Sequence, residues 1–172
     1  DIRLEEKGMI GQKFKESLKE LILKSPKSSS RLFFNQLFGG RHSKAVLGDL
    51  LAVMLNNSMA TYKIAGPLVA VEKEILLQIY DLIGYVDSPG GTFPTGGSMS
   101  NFMSLIMARD KIDLNIKELG ISKKLVAYTS ENSHYSLSKN ASFSGIGRSN
   151  IRYITSQEDG KINVKEFERQ VN

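Results

Sequence analysis

Two short stretches of this chain carry side chains whose types and spacing suit binding chemistry. Thr95-Gly96-Gly97-Ser98-Met99-Ser100-Asn101 sets two glycines ahead of two hydroxyl side chains and an apolar run of helical period. Glycine lets the backbone approach an anion closely, and a first helical turn offers unpaired N–H groups at the positive end of the dipole. Ser98 and Ser100 add O–H donors. The second stretch, Ser130-Glu131-Asn132-Ser133-His134-Tyr135-Ser136, lies a strand's length beyond the helix. An imidazole there can stack on a flat heterocycle, provided a tethered phosphate holds that ring nearby. Together the stretches point to a phosphorylated cofactor over a generic anion. Each also has a plain alternative: a glycine-rich turn with a serine cap, and a histidine satisfied at the surface.

Other site chemistries find little footing. The chain has no GxxxxGK[ST] loop, and Gly90-Gly91 with Gly96-Gly97 does not make GxGxxG. There is no cysteine, so disulfides and thiolate-bound metals are excluded. Only His42 and His134 could supply imidazole, and no HExxH spacing occurs, so no metal site is expected. The 23 Lys and Arg against 18 Asp and Glu give a net charge of +5, spread out except for Lys24, Lys27, Arg31, Arg41 and Lys44. That pattern reads as a solvated surface, without the interleaved aromatics of a nucleic-acid binder. No run of about 18 apolar residues is present, so no membrane span is expected. The charged, amphipathic start does not read as a signal peptide, so a cytoplasmic protein is expected.

The 172 residues suffice for one domain with a core, at an ordinary globular composition. Ile10, Phe14, Leu18, Leu21 and Ile22 share one helical face, and Ser25 to Ser30 reads as a linker. A second helix is expected from Ser43, as N-cap, to about Met59, with Leu47, Leu50, Leu51, Met54 and Leu55 on a wide apolar face. Pro67 suits the first turn of a third helix, whose buried stripe would be Val71, Ile75, Ile79, Leu82 and Ile83. Asp87 to Gly91 reads as a turn and Thr92-Phe93 as a short extended piece. A fourth helix is expected from near Ser98 to about Glu118, stopped by Gly120. Leu125 to Thr129 and Ile151 to Ile154 read as strands, with a helix from His134 to about Phe143 between them. The Asn163 to Glu166 spacing is that of a capping box opening a last helix. The order is α/β with at least two parallel strands, behind a front of 90 residues that is almost all helical. A parallel sheet needs cover on both faces and usually more strands, so the chain is expected to be the front part of a larger α/β protein.

Four segments match a known family in order: Phe33-Phe34-Asn35-Gln36-Leu37, Asn57-Ser58-Met59-Ala60-Thr61-Tyr62, Thr92 to Asn101, and Thr129 to Ser136. In these the chain resembles the pyridoxal-phosphate-dependent group II amino acid decarboxylases, most closely the glutamate and cysteine-sulfinate branch. The resemblance covers about residues 30 to 170. It implies the first strands and helices of a fold-type-I large domain, in residues 91–172, behind a dimer-packing helical segment in residues 1–90. It implies that the turn at Ser98, Met99 and Ser100 holds the phosphate of pyridoxal 5'-phosphate and that His134 stacks on its ring as a catalytic residue. Gln36 would face a substrate carboxylate, with Phe38 beside it. The cofactor is an electron sink for the carbanion left by decarboxylation, and a stacked ring with a fixed phosphate sets the geometry this needs.

The family's Schiff-base lysine, in an Asn-Pro-His-Lys type motif, and its pyridinium-pairing aspartate, in an Asp-x-Ala-His type motif, do not occur in these residues. Lys63 stands in a different motif, where relatives often carry an acid, and Gly39 stands where relatives often have a small hydroxyl residue. By the resemblance, these residues alone are expected to be incapable of turnover. Two other readings stay open: a shortened non-catalytic paralogue that dimerises or binds a partner, and another fold-type-I enzyme such as an aminotransferase or lyase.

Overall fold

The computed structural model describes residues 7–35, 37–86 and 90–172. The chain divides into two compact units, Asp1–Lys73 and Glu74–Asn172.

In the first unit, α1 covers Gly11–Lys24, with a Lys24–Glu20 pair one turn apart. It ends where Ser25 turns its amide and hydroxyl back onto the Leu21 carbonyl, at 3.0 and 2.7 Å. Helix α2 covers Ser43–Leu55. It stops four residues short of the expected Met59 because Asn56 adopts the left-handed conformation, φ 47° and ψ 38°, which asparagine tolerates better than most residues. Ser43 is the first helical residue and not the cap; His42 precedes it without a side-chain cap bond. A single turn, α3, covers Tyr62–Ala65, and Gly66 closes it. Helix α4, Pro67–Ile83, opens on proline as expected, and the division between the units falls within it. The stripe expected to be buried is open instead: Val71, Ile75, Ile79, Leu82 and Ile83 are all exposed.

The second unit holds the sheet. The turn expected at Asp87 to Gly91 lies partly outside the described residues, and Thr92-Phe93 forms no strand. Helix α5, Gly97–Ile112, ends earlier than expected because Asp113 turns extended and its carboxylate accepts from the Asn115 amide at 3.0 Å. That turn leads into α6, Ile116–Leu119, which Gly120 stops at φ 77°. Strand β1 is Ala127–Ser130, two residues later at its start than the apolar run suggests. Its register follows its partner: Ala127 pairs with Ile151 and Ser130 with Ile154 in a parallel ladder. Helix α7, Ser136–Phe143, and a 3-10 turn, Arg148–Asn150, cross over to β2, Ile151–Ile154.

Ala141, Ile146 and Ile151 form the buried cluster, with Leu105 and Leu125 packed on it. Helix α8, Val164–Val171, is capped by Asn163, whose Oδ1 accepts from the Glu166 amide at 3.2 Å. The reciprocal half of the box is used elsewhere. The Glu166 carboxylate accepts from the Thr155 hydroxyl and, at 3.0 Å, from the Thr155 amide. These bonds hold its pKa below the ordinary glutamate value.

Candidate cofactor site

Helix α5 begins with no side-chain cap. Gly96, at φ 153° and ψ 166°, occupies a backbone region open essentially to glycine alone. The Gly96 carbonyl accepts from the amides of both Met99 and Ser100 at 3.0 Å. The Ser100 hydroxyl donates to the same carbonyl, more weakly, at 3.3 Å. The amides of Gly97 and Ser98 have no acceptor among the described residues. Of the three residues the sequence marks for phosphate, Ser98 therefore offers a free amide as well as its hydroxyl, whereas Met99 and Ser100 spend their amides closing the turn. Gly97, the second glycine of the motif, supplies the second free amide, as a first helical turn is expected to. The donor set is two N–H groups and a hydroxyl at a helix start, which fits a phosphate dianion.

The segment after β1 is fixed to this turn by buried polar groups. Asn140, nearly fully buried in α7, donates its side-chain N–H to the Ser98 carbonyl at 2.9 Å. Asn101 of α5 donates to the Ser136 hydroxyl at 2.8 Å. The Arg109 guanidinium donates to the Ser144 carbonyl at 2.7 Å while paired with Asp110 at 2.7 Å. Among the described residues of this unit, Ser136, Asn140 and Ser144 are the buried polar ones, spaced four apart on one face of α7 and its C-terminal cap. That spacing is legible in the sequence, where it signals a polar helix–helix seam.

His134 stands just past the carboxyl end of β1, where open α/β sheets present functional groups. It is exposed, with Ser136 Oγ 2.8 Å from its Nδ1 and the Ser136 amide donating to the same nitrogen at 3.2 Å. The Tyr135 ring lies alongside, centroids 4.3 Å apart. Thus Ser98 and His134 belong to one framework, linked through α5 and α7.

The substrate-side residues are placed differently. Gln36 lies outside the described residues. Phe38 meets Phe33 edge-on at 5.7 Å, beside a turn in which the Asn35 side chain accepts from the Leu37 amide at 2.8 Å. Among the described residues no group of three potential metal ligands occurs, and no helix is long and apolar enough to cross a membrane.

Comparison with known proteins agrees along nearly the whole chain. It is 34% identical over 173 residues to human cysteine sulfinic acid decarboxylase, covering 99% of this chain and 35% of that protein. Acidic amino acid decarboxylase GADL1 of Xenopus tropicalis is 33% identical over 173 residues, covering 99% of this chain and 34% of that protein. The crystal structure of the mouse protein CSAD superposes with a TM-score of 0.92 at 33% identity, over 99% of this chain and 36% of that one. The chain thus spans about a third of the length of these relatives. Residues 4–172 match the pyridoxal-dependent decarboxylase conserved domain, and the chain belongs to that family, corresponding to the N-terminal part of a group II enzyme.

Proposed function

We propose that the protein carrying this chain is a pyridoxal-phosphate-dependent decarboxylase of acidic amino acids, such as glutamate, and that it works as a homodimer. The observation that carries this reading is the pair of free amides at Gly97 and Ser98 locked, through Asn140 and Asn101, to the segment that bears His134. When bound, the cofactor supplies the electron sink for the carbon–carboxylate bond that breaks. The chain's own residues do the positioning. The Gly97 and Ser98 amides and the Ser98 hydroxyl hold the phosphate, within the turn that also contains Met99 and Ser100. His134 presents its ring face to the cofactor ring. Gln36, with Phe38 beside it, would donate its side-chain N–H to the distal acid group of the substrate.

In this proposal residues 1–90 pack against the second subunit and residues 91–172 begin the cofactor domain. The exposed Phe14, Leu18 and Leu21 of α1 and Leu47, Leu50 and Leu51 of α2 support that division of labour. The full-length protein should release carbon dioxide from glutamate, aspartate or cysteine sulfinate once supplied with pyridoxal phosphate. Gln36→Ala should raise KM for the acidic substrate about tenfold, one lost charge-assisted hydrogen bond, with a smaller effect on kcat. An unchanged KM would remove Gln36 from the substrate site.

A further inference from the structure

The Ser136 hydroxyl is fully buried and sits between two partners at 2.8 Å, Asn101 Nδ2 and His134 Nδ1. An amide nitrogen only donates, so the serine oxygen accepts from Asn101 and keeps its proton and a second lone pair to face His134 Nδ1. The Ser136 backbone amide donates to that same nitrogen at 3.2 Å. A backbone N–H only donates, so Nδ1 is an acceptor, and the Ser136 hydroxyl then turns its proton toward the same nitrogen.

We propose that Asn101 and Ser136 are positioning residues that fix His134 as its Nε2–H tautomer and set its ring plane before any cofactor binds. Ordinary packing does not supply this: the ring is exposed, and without the relay it could turn about both side-chain torsions. Two bonds to one ring edge remove that freedom and leave the ring face and the Nε2–H edge available. The benefit to cofactor binding rests on the function proposed above; the tautomer itself does not.

Nitrogen NMR of the full-length protein, labelled with 15N-histidine and assigned by difference from His134→Gln, reads the tautomer directly. The cofactor-free protein should already show a bare Nδ1 and a protonated Nε2. Ser136→Ala should populate both tautomers. Asn101→Asp reverses the relay, because a carboxylate takes the serine proton, and should move the imidazole proton toward Nδ1; it carries the test if Ser136→Ala does not fold. Pyridoxal phosphate affinity, by equilibrium dialysis, should fall about 3- to 10-fold in both variants, the scale of one hydrogen bond. A protonated Nδ1 in the wild type, or wild-type signals in both variants, would overturn the proposal. A wild type with the expected tautomer that takes up no pyridoxal phosphate would instead overturn the functional reading.

Discussion

Gly96 and Asn140 shape and brace the turn that opens α5, through backbone conformation and a bond to the Ser98 carbonyl. Gly96 holds a conformation that costs other residues about 1–3 kcal/mol. Gly96→Ala in the full-length protein should therefore weaken pyridoxal phosphate binding about tenfold or more in a dialysis titration; unchanged affinity would take the turn out of the site. Asn140→Ala removes a buried donor from the Ser98 carbonyl and should lower unfolding free energy by about 1–2 kcal/mol in denaturant melts. At this scale residue type alone marks Ser98 and His134 in the sequence, and the structure links the two through α5 and α7. The sequence was not legible where backbone geometry decides. Unpaired amides are expected of any helix start, but the engagement of Met99 and Ser100 with the Gly96 carbonyl exists only once the turn has formed.

Elements were read well where pattern and capping agree. Strand β2 and the Asn163 cap stand where the residues place them, and Pro67 opens α4. Helix ends were read less well. Asn56 and Asp113 end their helices through local side-chain and backbone choices that outweigh apolar period. A further contact precedes α5. A Cβ built on Gly91 would lie 2.2 Å from the Tyr80 hydroxyl, which is buried with no partner among the described residues. The Tyr80 ring is held in turn by Tyr85, edge-on at 6.1 Å. Gly91→Ala should cost about 1–3 kcal/mol of stability by overpacking. Tyr80→Phe should restore much of it, since an unpartnered hydroxyl is lost at little expense. Equal melts for the single and double variants would show that the contact carries no strain. At the other end of the unit, Glu166 ties α8 to Thr155. Its folded pKa lies below its unfolded value, so this stabilisation is present above the unfolded pKa and is lost as pH falls through the folded one. Amide protection factors in residues 164–171, rates corrected for intrinsic exchange, should fall on acidification, and Glu166→Gln should flatten that dependence.

Across the molecule, the least legible property was burial. Periodicity identifies an apolar face without saying what covers it, so Val71, Ile75 and Ile79 read as core yet stand exposed. The apolar faces of α1 and α2 are exposed as well, and so is Tyr153 on the two-stranded parallel sheet, a sheet type that elsewhere is covered on both faces. In the proposed dimer a second subunit meets the helical front. Leu18→Asp with Leu50→Asp should then shift the full-length protein from dimer toward monomer in sedimentation; a dimer of undiminished affinity would place the interface elsewhere. The central claim is the reaction. Full-length protein, stripped of cofactor and then reloaded with pyridoxal phosphate, should release labelled carbon dioxide from 1-14C-glutamate, aspartate or cysteine sulfinate only after reloading. A protein that binds the cofactor and liberates no label from any of the three would contradict it.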